Sequence, residues 1–150
     1  MYDTAAFWAA DFNCNDQVYA DSVNFVLHYS SKTKIIGWDN SNLQKTFMLT
    51  LIEPSAPRVG LNTLDMMLHS TIDMSTYTEI NDAEMMIRPW MESMGHGSSN
   101  NVDPAWISPA KYRGTVNFNM AGEWFLYDSI KVNGTFITNT PAPKFIMEVN

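Results

Sequence analysis

The stretch Lys111-Tyr112-Arg113-Gly114-Thr115-Val116-Asn117-Phe118-Asn119-Met120-Ala121-Gly122-Glu123-Trp124 decides the fold. Val116, Phe118 and Met120 alternate with Asn117 and Asn119, and a period of two places the apolar set on one inward face of a strand. Ala121-Gly122-Glu123 turns the chain, and Trp124 to Val132 makes the next strand. Asn133-Gly134 then signals a tight hairpin, because both residues accept the positive φ that such a turn demands. Thr135 to Thr138 returns, and Phe145 to Val149 is a closing strand.

Upstream the same period recurs. Thr46 to Ile52 reads as a strand with Phe47, Leu49 and Leu51 on one face, ended by Pro54 and Pro57. Gly60 admits Thr63 to Ser70, with Leu64, Met66 and Leu68 inward and Asp65, Met67 and His69 outward. Ile72 to Asn81 is a connection, after which Ala83, Met85 and Ile87 alternate with Glu84, Met86 and Arg88. Nearer the start, Val23, Phe25 and Leu27 suit a strand from Val18 on, Ser30 to Lys34 a turn, and Ile35-Ile36 a short strand. Residues 1–15 suit a short helix or a loosely docked lead-in. Trp38 to Asn42 and the proline-punctuated stretch from Gly97 to Pro109 read as loops, the second a long one. Short alternating strands, frequent turn signals and no long amphipathic helix point to an all-β, antiparallel β-sandwich.

The chain has 150 residues, enough for one domain with a real core. Its net charge of −7 argues against a nucleic-acid partner, which needs a basic surface. No apolar run approaches the roughly 20 residues of a membrane-spanning helix. A single cysteine, Cys14, precludes an internal disulfide. Eleven methionines are an excess for a residue outside the common set.

That excess gathers where the Ala83–Arg88 alternation runs into Pro89-Trp90-Met91-Glu92-Ser93-Met94-Gly95-His96-Gly97-Ser98. Uncharged thioethers are soft ligands and imidazole binds late first-row metals, so Met91, Met94 and His96 together are a donor set for copper, above all Cu(I). Glycines on both sides of His96 give the backbone freedom to turn the ring toward the sulfurs. Against this stands the plain reading: Met91 and Met94 fill the core or its rim, and His96 is an ordinary turn residue.

The Pro89–Ser98 run, with Asn100-Asn101-Val102 and Pro104 behind it, resembles the YtkA-like/FixH-like family, as does the Tyr112–Trp124 run. Glu53-Pro54 and Pro57 to Asn62 are similar to the stretch opening that family's first strand pair. The resemblance covers roughly Lys45 to Val132 and implies an immunoglobulin-like sandwich in an exported protein of the periplasm or outer envelope, often a lipoprotein, tied to copper handling or oxidase maturation. Residue by residue it implies a metal site at Met91, Met94 and His96, with Met120 from the second motif. Glu92 departs from the family's usual proline and sets a carboxylate beside these donors. Residues 1–40 and the chain from the Asn133-Gly134 hairpin onward find no counterpart and add strands or a partner surface, the first 40 being an extension or extra strands of a single domain.

The expected function is therefore a Cu(I) carrier or chaperone that exchanges its ion with a copper donor, an acceptor, or an efflux or oxidase-assembly component. Met120 is a fourth ligand or a core residue, and Met67 and His69 are contributors from a neighbouring strand. Acid would strip the imidazole and leave the methionines bound. No nucleophile elbow, phosphate-binding glycine loop, His-Glu-x-x-His or paired cysteines suggests an enzyme. The alternative is a non-catalytic interaction module that presents Trp90, Trp106 and the long loop to a partner, its Met-Gly-His-Gly turn structural, with His96 hydrogen-bonding the loop.

Overall fold

The computed structural model describes residues 33–150 in full, and before them the backbone of β1 (Thr4–Cys14) and β2 (Gln17–Leu27). The chain divides into two compact units, Met1–Ser31 and Lys32–Asn150. In the first, β1 and β2 form an antiparallel pair in unbroken register from Thr4 opposite Leu27 to Cys14 opposite Gln17. The helix considered for residues 1–15 is thus replaced by a strand. His28 and most of the turn expected over Ser30 to Lys34 lie outside the described residues.

The second unit is built of β3 (Lys34–Asn40), β4 (Lys45–Glu53), β5 (Gly60–Thr71), β6 (Thr78–Glu79), β7 (Ala83–Met91), β8 (His96–Gly97), β9 (Val102–Ser108), β10 (Lys111–Phe118), β11 (Gly122–Val132), β12 (Thr135–Phe136) and β13 (Lys144–Val149). One sheet runs β3-β4-β5-β10-β9, with β6 beside the end of β5; the other runs β12-β11-β7-β8, with β13 also on β11. Every pairing is antiparallel. This is the expected all-β sandwich. No helix among the described residues is long and apolar enough to cross a membrane.

The core follows the sequence alternation. Phe47, Leu49 and Leu51 of β4, Leu64, Met66 and Leu68 of β5, and Val116 and Phe118 of β10 are buried from one sheet. Met85 and Met91 of β7, Trp124, Leu126 and Ile130 of β11, and Phe145, Met147 and Val149 of β13 are buried from the other. Each such side chain contributes roughly 1.5–3 kcal/mol by leaving water. Asn133 and Gly134 have φ of 50° and 74° and join β11 to β12 in the two-residue turn their sequence foretold.

Two stretches expected as loops are strands. Trp38, Asp39 and Asn40 extend β3, because Trp38 stacks on Phe47 at 5.8 Å and its indole N–H reaches the carbonyl of Ile137 at 2.7 Å. Val102 to Ser108 is β9, an edge strand that tolerates Pro104 because the pairing with β10 is irregular between Arg113 and Thr115. Gly114 makes that irregularity possible: a Cβ there would come within 2.9 Å of Pro104 N and 3.1 Å of the Asp103 carbonyl carbon.

On the outer face of the first sheet, Asp65 is directly opposite Arg113. The guanidinium grips its carboxylate through two bonds of 2.7 and 2.8 Å, and Lys111 adds a contact at 3.0 Å. The Arg113 hydrogen bond, joined by Lys111, lowers the Asp65 pKa to about 2 against the opposing effect of burial. Inside, the Tyr112 hydroxyl donates to Ile80 O at 2.8 Å and accepts from Ala83 N–H at 3.0 Å, pinning the approach to β7. Tyr112→Phe would orphan both backbone groups. It should destabilise the unit by about 1–3 kcal/mol in urea unfolding while leaving the far-ultraviolet dichroism of the folded state unchanged.

Candidate metal centre

β7 carries its inward phase on odd positions, so Met91, its last residue, is core and only 3% exposed. A tight turn follows. Met94 N–H and Gly95 N–H both reach Met91 O, at 3.3 and 2.9 Å, and Gly95 has the positive φ of 65° that the turn requires. The chain then re-enters the sheet as β8, with His96 opposite Met91 and Gly97 opposite Trp90. Residues directly opposite in an antiparallel pair share a face, so the His96 imidazole and the Met91 thioether project to the same side.

There the His96 ring meets Trp124 edge-on at 5.7 Å, and Trp124 in turn packs on Phe118 at 5.5 Å. The Trp124 indole N–H donates to Met120 O at 3.1 Å, fixing the bend between β10 and β11. A Cβ at Gly122, whose φ is 126°, would stand 3.2 Å from the Met91 methyl carbon. His96 and the Met120 carbonyl therefore meet at one indole, and the Met91 methyl lies over the Gly122 end of the same bend. Met120 is half-buried against the core, and Met94 stays on the turn, 60% exposed.

The His96 Nδ1 lies 2.9 Å from Gly97 O. A carbonyl only accepts, so this bond requires the proton on Nδ1 and leaves the Nε2 lone pair available, the arrangement usual for a metal-binding imidazole. Glu92 is engaged elsewhere: its carboxylate accepts from the Tyr127 hydroxyl at 2.8 Å and pairs with Lys144 at 3.3 Å. Those contacts, Tyr127 first, hold its pKa below the ordinary glutamate value. The local donor set is thus thioether and imidazole, which suits a soft ion. Among the described residues no three His, Cys, Asp or Glu side chains gather into a hard-ligand cage.

Met67 and His69 do not join this group. They fall on the outward phase of β5, in the opposite sheet, because Leu64, Met66 and Leu68 take the inward one. The side chain of Cys14 lies outside the described residues.

The rest of the motif has structural work. Ser98 donates to Asn117 O, Asn101 accepts from Asn117 N–H at 2.9 Å and donates to Ser98 O at 2.8 Å, and Asn100 has a φ of 64°. Asn62 ties the β4–β5 connection through Arg58 N–H at 3.0 Å and Arg58 O at 2.7 Å.

A family model described as YtkA-like matches residues 42–127, more than half of the chain. The chain belongs to the YtkA-like family. No curated protein matches it. In this YtkA-like chain the Tyr112–Trp124 motif reads as framework: a hydroxyl that satisfies backbone, a glycine at a bulge, two core side chains, a bend and the indole under His96.

One buried group went unmarked in the sequence. Asp128 shares the inward phase of β11 with Leu126 and Ile130, and its Oδ2 has no hydrogen-bond partner among the described residues. Burial pushes its carboxyl well above the ordinary aspartate range. Its signal was legible as an acidic residue in an apolar phase.

Two outcomes follow from this packing. Gly97→Ala would set a methyl 2.9 Å from Pro89 O and 3.5 Å from the Trp90 ring, and should lower stability by about 1–3 kcal/mol in denaturant unfolding. For Asp128 the folded state binds its proton more tightly than the unfolded chain does. Its favourable contribution is therefore complete below about pH 4 and declines as pH rises toward the folded pKa. In pH-resolved thermal unfolding, Asp128→Asn should gain on the wild type by up to about 1.4 kcal/mol per pH unit across that range.

Proposed function

We propose that this domain carries monovalent copper as cargo, held by His96 Nε2 and the thioethers of Met91 and Met94, with Met120 as a further donor. The observation that supports this reading most is the pairing of His96 with Met91 while Nδ1 is committed to Gly97 O. It turns two donors to one side and leaves the imidazole in the tautomer a metal needs. Three neutral donors accept a single positive charge without a compensating anion, which favours Cu(I) over divalent ions.

The donors differ in access in a way that suits ligand exchange. Met94 is exposed, His96 is half-buried and Met91 is buried. An ion handed over by a donor protein meets Met94 first, then His96, and Met91 completes the set from inside. On this reading the domain works in the exported compartment, the periplasm or outer envelope, and is tethered there as a lipoprotein. Its partners are a copper donor or acceptor, or an oxidase-assembly or efflux component, and it catalyses no reaction.

The second reading, an interaction module with a structural turn, draws support from the His96 Nδ1 bond to Gly97 O, from Met91 in the core, and from β9, whose edge exposes Val102, Trp106 and Ile107. A competition titration with a Cu(I) chelator separates the two. Met94→Leu and His96→Gln spare the core, and Met91→Leu conserves its volume within about 1.5 kcal/mol. The wild type should bind one ion at this turn, and the triple variant should bind it at least about tenfold more weakly, given that loss of even an outer-shell partner costs 10–100-fold. Equal affinity in the two proteins would leave the module.

A further inference from the structure

The outward face of the six-stranded sheet carries its own soft donors. Met48 on β4 is directly opposite His69 on β5, and Met67 stands two residues from His69 on the same strand, diagonal to Met48. All three side chains are half-buried, and the neighbouring inward positions Leu49 and Leu68 are fully buried, so the outward phase is unambiguous. On the far side of Met48 the paired residue is Gly37, which has no side chain. A Cβ there would lie 4.0 Å from Met48 Cγ, at ordinary contact distance. On the far side of His69 the paired residue is Glu79. Lys111, opposite Met67, is drawn off to Asp65 at 3.0 Å.

From this register we propose a second site for a soft monovalent cation, Cu(I) or Ag(I), formed by the Met48 and Met67 sulfurs and the His69 imidazole. Directly opposed residues hold their Cβ atoms about 4.5–5.5 Å apart, and diagonal ones somewhat farther. Residues two apart on a strand are separated by about 6.5–7 Å. Each sulfur stands two bonds beyond its Cβ, and metal bonds of about 2.0–2.3 Å to nitrogen and sulfur close the remaining gap above the sheet. Two thioethers and one imidazole form a neutral three-donor set of the kind a soft cation prefers. Glu79, the register partner of His69, adds an acidic residue to the same face. The site lies on a different sheet and face from the Met91–His96 turn and stands independently of it.

Silver titration of the full chain, with methionine methyl carbons labelled, tests this. Ag(I) is the probe, because it matches Cu(I) in softness without changing oxidation state. The Met48 and Met67 methyl signals and the His69 ring protons should shift together, and should do so equally in a Met94→Leu/His96→Gln variant. His69→Gln should raise the silver concentration at which the two methyls shift at least about tenfold, by the same ligand-loss reasoning. Met48→Leu/Met67→Leu should abolish the shift of the His69 ring while amide spectra report an intact fold. Static Met48 and Met67 signals at silver excess would overturn the proposal, as would shifts that vanish with the Met94/His96 variant. Signals from Met91, Met94 and His96 read the turn separately, so failure of either site is visible without the other.

Discussion

Burial of the Trp124 indole is the constraint on which the described unit depends. The ring is fully buried, lies against Phe118 from the facing sheet and His96 from the β7–β8 hairpin, and its single N–H must find an acceptor inside. Met120 O supplies it, and in doing so fixes the bend that carries the chain from one sheet to the other. Gly122 lets β11 start close enough for the Met91 methyl to pack over that bend. One aromatic side chain thus sets the spacing of the layers, the arch between them and the position of the histidine.

A second constraint is the exposed edge of β7, which pairs with β8 only at its last residues. Unpaired strand edges invite other chains. Here the edge is closed by side chains: Ala83 N–H goes to the Tyr112 hydroxyl, Ile87 N–H to the Asp103 carboxylate at 2.9 Å, and Pro89 has no N–H to offer. Asp103, which falls in a stretch that reads as loop, is one of the residues that finish the sheet.

This explains how far the sequence could be read. Strands that bury one face, such as those of Phe47–Leu51, Val116–Phe118 and Phe145–Val149, announce themselves through alternation, and Asn133-Gly134 has one conformational use. β9 was hidden because its proline is compatible with a strand only where the facing Gly114 permits a bulge, a fact about the partner strand. β3 was cut short because Asp39 and Asn40 look like turn residues; their side chains instead serve Thr46 Oγ1 at 2.6 Å and Leu43 N–H at 3.1 Å. At the turn, two flanking glycines and the inward phase of Met91 foretold a reversal near His96. The placement of Met67 and His69 could not be read that way, since which strand adjoins which is set by topology, and the topology puts them on the other sheet.

The sandwich is fastened along both flanks. On one, the Trp38 indole and the Asn40 amide share Ile137 O at 2.7 and 3.2 Å, Asn139 donates to Asp39 O at 2.9 Å, and Lys34 reaches Ile146 O. On the other, Asp103 binds β7. Layers laced in this manner resist a clamshell gape or a sliding shear. With the layers held, motion at the hairpin falls to its exposed side chain, Met94, whose rotamer hops take picoseconds to nanoseconds, while Met91 is fixed in the core.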